Sequence, residues 1–77
     1  MKFITRKGHE NTTIRKVVND DKTKVIGVVG TVGDMLKVGL LEWCEYDINL
    51  WCFLSAPGSA LKDRFGKTRE EATAHIG

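Results

Sequence analysis

The sequence predicts one small α+β domain over residues 1–77, an antiparallel sheet of three to five strands packed against one or two short helices. Three observations carry that expectation. First, 77 residues make one domain and leave no room for a second. Second, hydrophobic residues make up 42% and charged residues 29%, the balance of a globular chain rather than of disorder, collagen or a coiled coil. Third, short runs of β-branched residues are punctuated by turn signals and by two Thr-x-x-acid helix starts. A chain this short buries only about 60% of the surface it exposes when unfolded, so its core is small and relies on its few large side chains.

Lys2–Thr5 is a short mixed run that suits an edge strand, and the polar stretch 6–12 with Gly8 reads as a loop. Residues 13–18 and 24–29 are both rich in Val, Ile and Thr. Asn19-Asp20-Asp21-Lys22 lies between them, so the pair reads as a hairpin. A helix over 12–20 competes, because Ile14, Val17 and Val18 also fit a 3.6-residue period. Thr31 and Asp34 have capping spacing, and Val32, Met35, Leu36, Leu40 and Trp43 then share one helical face. This predicts a helix over 32–44, against the cost of Gly33 and Gly39 and the strand-like alternation of Leu36, Val38 and Leu40.

Ile48 to Leu54 is the strongest strand signal, with Ile48, Leu50, Cys52 and Leu54 on one face and Asn49, Trp51 and Phe53 on the other. Both faces are largely apolar, as in a covered central strand. Ala56-Pro57-Gly58-Ser59 suits a type II turn, and 61–65 returns as a partner strand with Lys62 and Arg64 facing outward. Thr68 and Glu71 then form a capping box that opens a final helix to Ile76, with Ala72 and Ile76 inward. Trp51 and Phe53 read as core under that helix.

The net charge is only +2, but it is unevenly distributed. Residues 1–24 hold seven basic and three acidic side chains, whereas residues 25–60 hold one basic and four acidic. Two patches of opposite sign could each steer a partner. The longest apolar run, 50–54, is far short of the roughly 20 residues of a membrane span, and Met1 to Lys7 lacks a signal-peptide core. A cytoplasmic chain with reduced thiols is the expectation, with Cys44 and Cys52 buried as small apolar residues.

Catalytic chemistry finds little material. His9 and His75 lie far apart in polar and terminal positions, and no Ser or Cys has a base and an orienting acid in a known pattern. The two histidines and two cysteines lack the spacing of a metal site. No enzyme, metal or cofactor is expected. Gly66-Lys67-Thr68 has the ending of a phosphate-binding P-loop, but position 61 is Leu where that motif requires glycine. The tripeptide reads as a turn glycine before a helix cap. Ile26-Gly27-Val28-Val29-Gly30 resembles the Ile-Gly-x-x-Gly core of KH domains, and 65–76 resembles their last strand and helix. That resemblance implies a loop clamping nucleic-acid backbone.

A second resemblance covers Trp51 to Ile76, where a strand, a Pro-Gly turn, a second strand, Phe-Gly-Lys-Thr and a Thr-Arg-Glu-Glu-Ala helix follow one another. The segment is similar to the ends of small phage and prophage accessory proteins and to arm-binding domains of phage integrases, whose sheet meets DNA. The resemblance implies a non-enzymatic accessory protein, encoded by a phage or mobile element, that binds and modulates a host protein; anti-defence inhibition, including inhibition of CRISPR systems, is one such role. Its candidate protein-binding residues are Glu42, Trp43, Glu45, Tyr46 and Asp47, because aromatics concentrate binding energy and the acids favour a basic partner. The competing expectation is a nucleic-acid-binding domain with a basic sheet or KH-like loop. Its candidates are Lys2, Arg6, Lys7, Arg15, Lys16, Lys62, Arg64, Lys67 and Arg69.

Overall fold

The computed structural model describes residues 1–43 and 45–76. Five strands form one antiparallel sheet in the order of the chain: β1 (Lys2–Thr5), β2 (Arg15–Val18), β3 (Val25–Thr31), β4 (Trp51–Ser55) and β5 (Arg64–Gly66). Two short helices, α1 (Val32–Lys37) and α2 (Arg69–Ala72), complete a fold that is broadly α+β with little helix.

The hairpin of β2 and β3 forms as expected, with Arg15 opposite Val29 and Val17 opposite Gly27. Asn19 closes its loop, the backbone N–H donating to Lys24 O and the side-chain oxygen accepting from Lys24 N. No helix forms over 12–20. β2 starts only at Arg15, because Thr12 and Thr13 turn their hydroxyls into local and cross-chain hydrogen bonds.

One part of the core lies between the sheet and α2, and Ile14, Val18, Val32, Met35 and Cys52 are buried apart from it. Val17, Val29, Phe53 and Ala72 are fully buried together, and Phe3, Ile26, Trp51, Leu61 and Ile76 pack around them. Phe53 sits opposite Val29 in the register, so the two side chains share the face that α2 covers. The reading of Trp51 and Phe53 as core under the last helix agrees with this packing. Thr68 caps α2 as expected, its hydroxyl accepting from Glu71 N at 3.1 Å. The reciprocal bond is displaced by one residue: the Glu71 carboxylate accepts from Lys67 N rather than from the cap residue. α2 ends at Ala72 instead of Ile76. Thr73 caps it by turning its hydroxyl onto Arg69 O, and residues 73–76 continue as turns.

Three further expectations are corrected. The helix expected over 32–44 stops at Lys37. Gly39 adopts φ +82°, a left-handed turn, and Leu40 and Leu41 both donate back to Met35 O, which ends the helix. The strand expected from Ile48 begins at Trp51. Asp47 folds 47–50 into a turn, accepting from Asn49 N through its carboxylate and from Leu50 N through its carbonyl. The strand expected over 61–65 is shifted to Arg64–Gly66, because Ser59 Oγ accepts from Leu61 N and the Asp63 carboxylate takes the Ser55 N–H that a longer strand would pair. The Pro-Gly turn before it closes as expected, with Ser59 N donating to Ala56 O.

The KH-like loop is also corrected. Gly27 through Gly30 lies inside β3, paired with β2 on one side and β4 on the other, so it presents no loop to a ligand. Gly27 serves packing: a Cβ there would stand 2.7 Å from the Phe53 ring. Cys52 is fully buried, as expected; Cys44 lies outside the described residues. Among the described residues no helix is long and apolar enough to cross a membrane.

Candidate protein-binding surface

The residues after α1 leave the core and form a long connection to β4. Two anchors fix it. At its start, α1 is held by a polar knot: Thr31 caps the helix by accepting from Asp34 N at 3.3 Å, and the Asp34 carboxylate accepts both the backbone N–H and the hydroxyl of Thr13, at 2.8 and 2.7 Å. The Thr13 hydroxyl, then the Thr13 N–H, hold the Asp34 carboxyl below the ordinary 3.8, against the opposing effect of burial. At its far end, the Tyr46 ring stacks on Phe65 of β5 with centroids 4.3 Å apart, and Gly33 N donates to Ile48 O.

Val38, Leu40 and Leu41 stay half-buried, whereas the later large apolar side chains of the connection are exposed. Trp43 is 75% exposed, Ile48 59% and Tyr46 50%. Glu42, Glu45 and Asp47 are exposed in the same segment. Hence the structure brings the five sequence-derived candidates Glu42, Trp43, Glu45, Tyr46 and Asp47 onto one exposed loop. Ile48 is exposed in the same segment. Sequence reasoning missed it because alternation with Leu50 and Cys52 placed it on a strand face; the Asp-x-Asn turn signal at 47–49 was the available clue.

The basic candidates do not gather in the same way. Lys2 and Lys16 share one sheet face near the β1 edge, whereas Arg15 stands on the opposite face of β2. Arg15 also spends its guanidinium on the carbonyls of Thr12 and Ile14, each at 2.7 Å. Lys7 is exposed and Arg6 half-buried in the loop after β1. Arg69 lies 4.2 Å over the Phe3 ring and reaches Glu70, so it acts in packing. Lys62, Arg64 and Lys67 are exposed, but they lie at the β5 edge. Three strand spacings separate β5 from β2, roughly 14 Å of sheet. Among the described residues the basic candidates therefore fall mainly toward opposite ends of the sheet rather than in one stripe.

A groove of about 370 Å³ opens between the loop and the end of the fold, lined by Tyr46, Leu50, Arg64, Phe65, Gly66, Lys67, Glu71 and Ala74. The sequence did not reveal it, because it depends on Tyr46 folding back onto β5. Among the described residues no group of three or more His, Cys, Asp or Glu is placed to hold a metal ion. Comparison with protein-family models, with curated proteins and with solved structures finds no match.

Proposed function

We propose that this chain is a non-enzymatic binding module that docks on a partner protein through the loop 42–48. The observation that carries the reading is the exposure of Trp43, Tyr46 and Ile48 in a segment that also exposes three carboxylates. In so small a domain, large apolar side chains normally go to the core, and a cluster left outside represents unspent binding energy. Trp and Tyr dominate interface hot spots, and the acids select a partner face rich in Lys or Arg. The partner in this reading is a host protein met in the cytoplasm. The chain is then an accessory protein of a phage or mobile element that modulates its target, with inhibition of a host defence as one form of that activity. The dispersal of the basic residues favours this reading over nucleic-acid binding, which gains most from a contiguous basic surface.

Affinity capture from a host lysate, with and without nuclease, tests the proposal. Glu45→Lys should abolish recovery of the partner, and recovery should survive nuclease. If Glu45→Lys captures normally while Arg64→Glu with Lys67→Glu fails, the loop is not the docking surface. Capture that disappears with nuclease and weakens steeply with salt would instead identify a nucleic-acid binder.

A further inference from the structure

The edge strand β5 and the groove beside it carry a second inference, at a site that shares Tyr46 with the loop. β5 ends the sheet, so among the described residues its outer side has no neighbouring strand. The main-chain bonding pattern shows which groups it offers. Ala56 N donates to Ile26 O and Val32 N to Leu50 O. In the antiparallel register, even-numbered residues of the β4 segment therefore turn their main-chain groups toward β3, and odd-numbered ones toward β5. Trp51 and Phe53 consequently bond to Gly66 and Arg64, their partners in the register. Phe65, between those two, turns its N–H and C=O outward to the open edge. Lys67 N–H is already taken by the Glu71 carboxylate.

The surroundings of that edge fit an extended chain. The groove runs past Arg64, Phe65, Gly66 and Lys67, with the Tyr46 ring on one side and Glu71 and Ala74 on the other. Tyr46 and Phe65 stack into an aromatic wall. Arg64 and Lys67 are exposed, and among the described residues neither pairs with a carboxylate. We propose that β5 accepts an extended acidic segment of a partner protein as a sixth, antiparallel strand. The residue opposite Phe65 exchanges both main-chain hydrogen bonds with it and lays an apolar side chain on the aromatic wall. A small residue passes Gly66, and carboxylates meet Arg64 and Lys67. The recognised pattern, read from N- to C-terminus, is acid, small, apolar, acid.

The probe is the blocked peptide acetyl-Thr-Glu-Ala-Val-Glu-Thr-amide, titrated into isotopically labelled protein while amide resonances are followed. The Phe65 amide should show a saturable shift and slower hydrogen exchange. N-methylation of the peptide valine, which removes one strand bond, should weaken binding about tenfold, the factor that 1.4 kcal/mol carries. Lysines in place of the two peptide glutamates should weaken it at least as much, as should Arg64→Glu with Lys67→Glu, whose exposed positions leave the fold intact by circular dichroism. Trp43→Ala should leave peptide binding unchanged, which separates this site from the Trp43 part of the loop. No saturable shift at Phe65 up to millimolar peptide, or equal binding of the N-methylated peptide, would overturn strand addition. Equal binding of the lysine peptide would overturn the acidic ligand, and loss of binding in Trp43→Ala would overturn the separation of this site from Trp43.

Discussion

Phe53 and Trp43 are comparable in size and apolarity, and they meet opposite fates. Phe53 is 0% exposed, enclosed by Val17, Val29 and Ala72 and met edge-on by the His75 ring. Trp43 is 75% exposed in a loop among acids. The sheet face under α2 is one place where the chain buries apolar surface on folding, whereas the segment around Trp43 leaves it exposed. Burial of one aromatic ring in so small a core is a large share of the whole stability. Leaving Trp43 outside gives up a stabilisation of similar kind, which points to a use in binding.

The largest effect should come from the covered face. Phe53→Ala should cost about 3–5 kcal/mol, the usual range for removing a buried aromatic, and should unfold much of the protein in a urea titration. A loss below about 1 kcal/mol would mean that the face is not a stabilising region and would dissolve the contrast.

Asp34 links the two regions, because it ties the helix that launches the loop to the segment before β2. Asp34→Asn should cost about 1.5–3 kcal/mol, as expected for hydrogen bonds to a charged acceptor. The folded-state pKa of Asp34 is depressed below 3.8, so its contribution is complete above that value and is lost as the pH falls through the folded pKa. Urea midpoints of the wild type should therefore fall on acidification below pH 3.8, and those of Asp34→Asn should fall less. Equal acid dependence in both proteins would remove Asp34 from the linkage.

Thr68→Ala should have a smaller effect, about 1 kcal/mol, by removing the cap of α2. An unchanged urea midpoint would show that the four-residue helix is held by Ala72 packing alone.

The sequence was most informative where local chemistry and tertiary packing agree. The β2–β3 hairpin was legible because two β-branched runs flank Asn19, and the cap at Thr68 was legible from Glu71 three residues on. The core role of Phe53 followed from strand alternation. It was least informative over 38–50. Leu36, Leu40 and Trp43 satisfied a helical period, yet the positive φ of Gly39 ends the helix and no covering element receives Trp43. Periodicity records which side chains could share a face, not whether anything packs on that face. The same limit hid the groove at β5, which depends on a contact between Tyr46 and Phe65, 19 positions apart in the chain. The candidate acids and aromatics at 42–47 are neighbours in sequence, and the described ones among them are exposed in the connection before β4.

The most direct test uses Trp43 as its own reporter. Trp51→Phe removes the other tryptophan, which is half-buried, with a conservative aromatic replacement. In the free protein Trp43 emission should be red-shifted and readily quenched by acrylamide, and Trp43→Ala should change stability by no more than about 0.5 kcal/mol. Saturation with the nuclease-resistant partner recovered by capture should shift that emission to the blue and protect it from quenching. Unchanged emission and quenching in the saturated complex would contradict the account, because the exposed face of the loop would then play no part in binding.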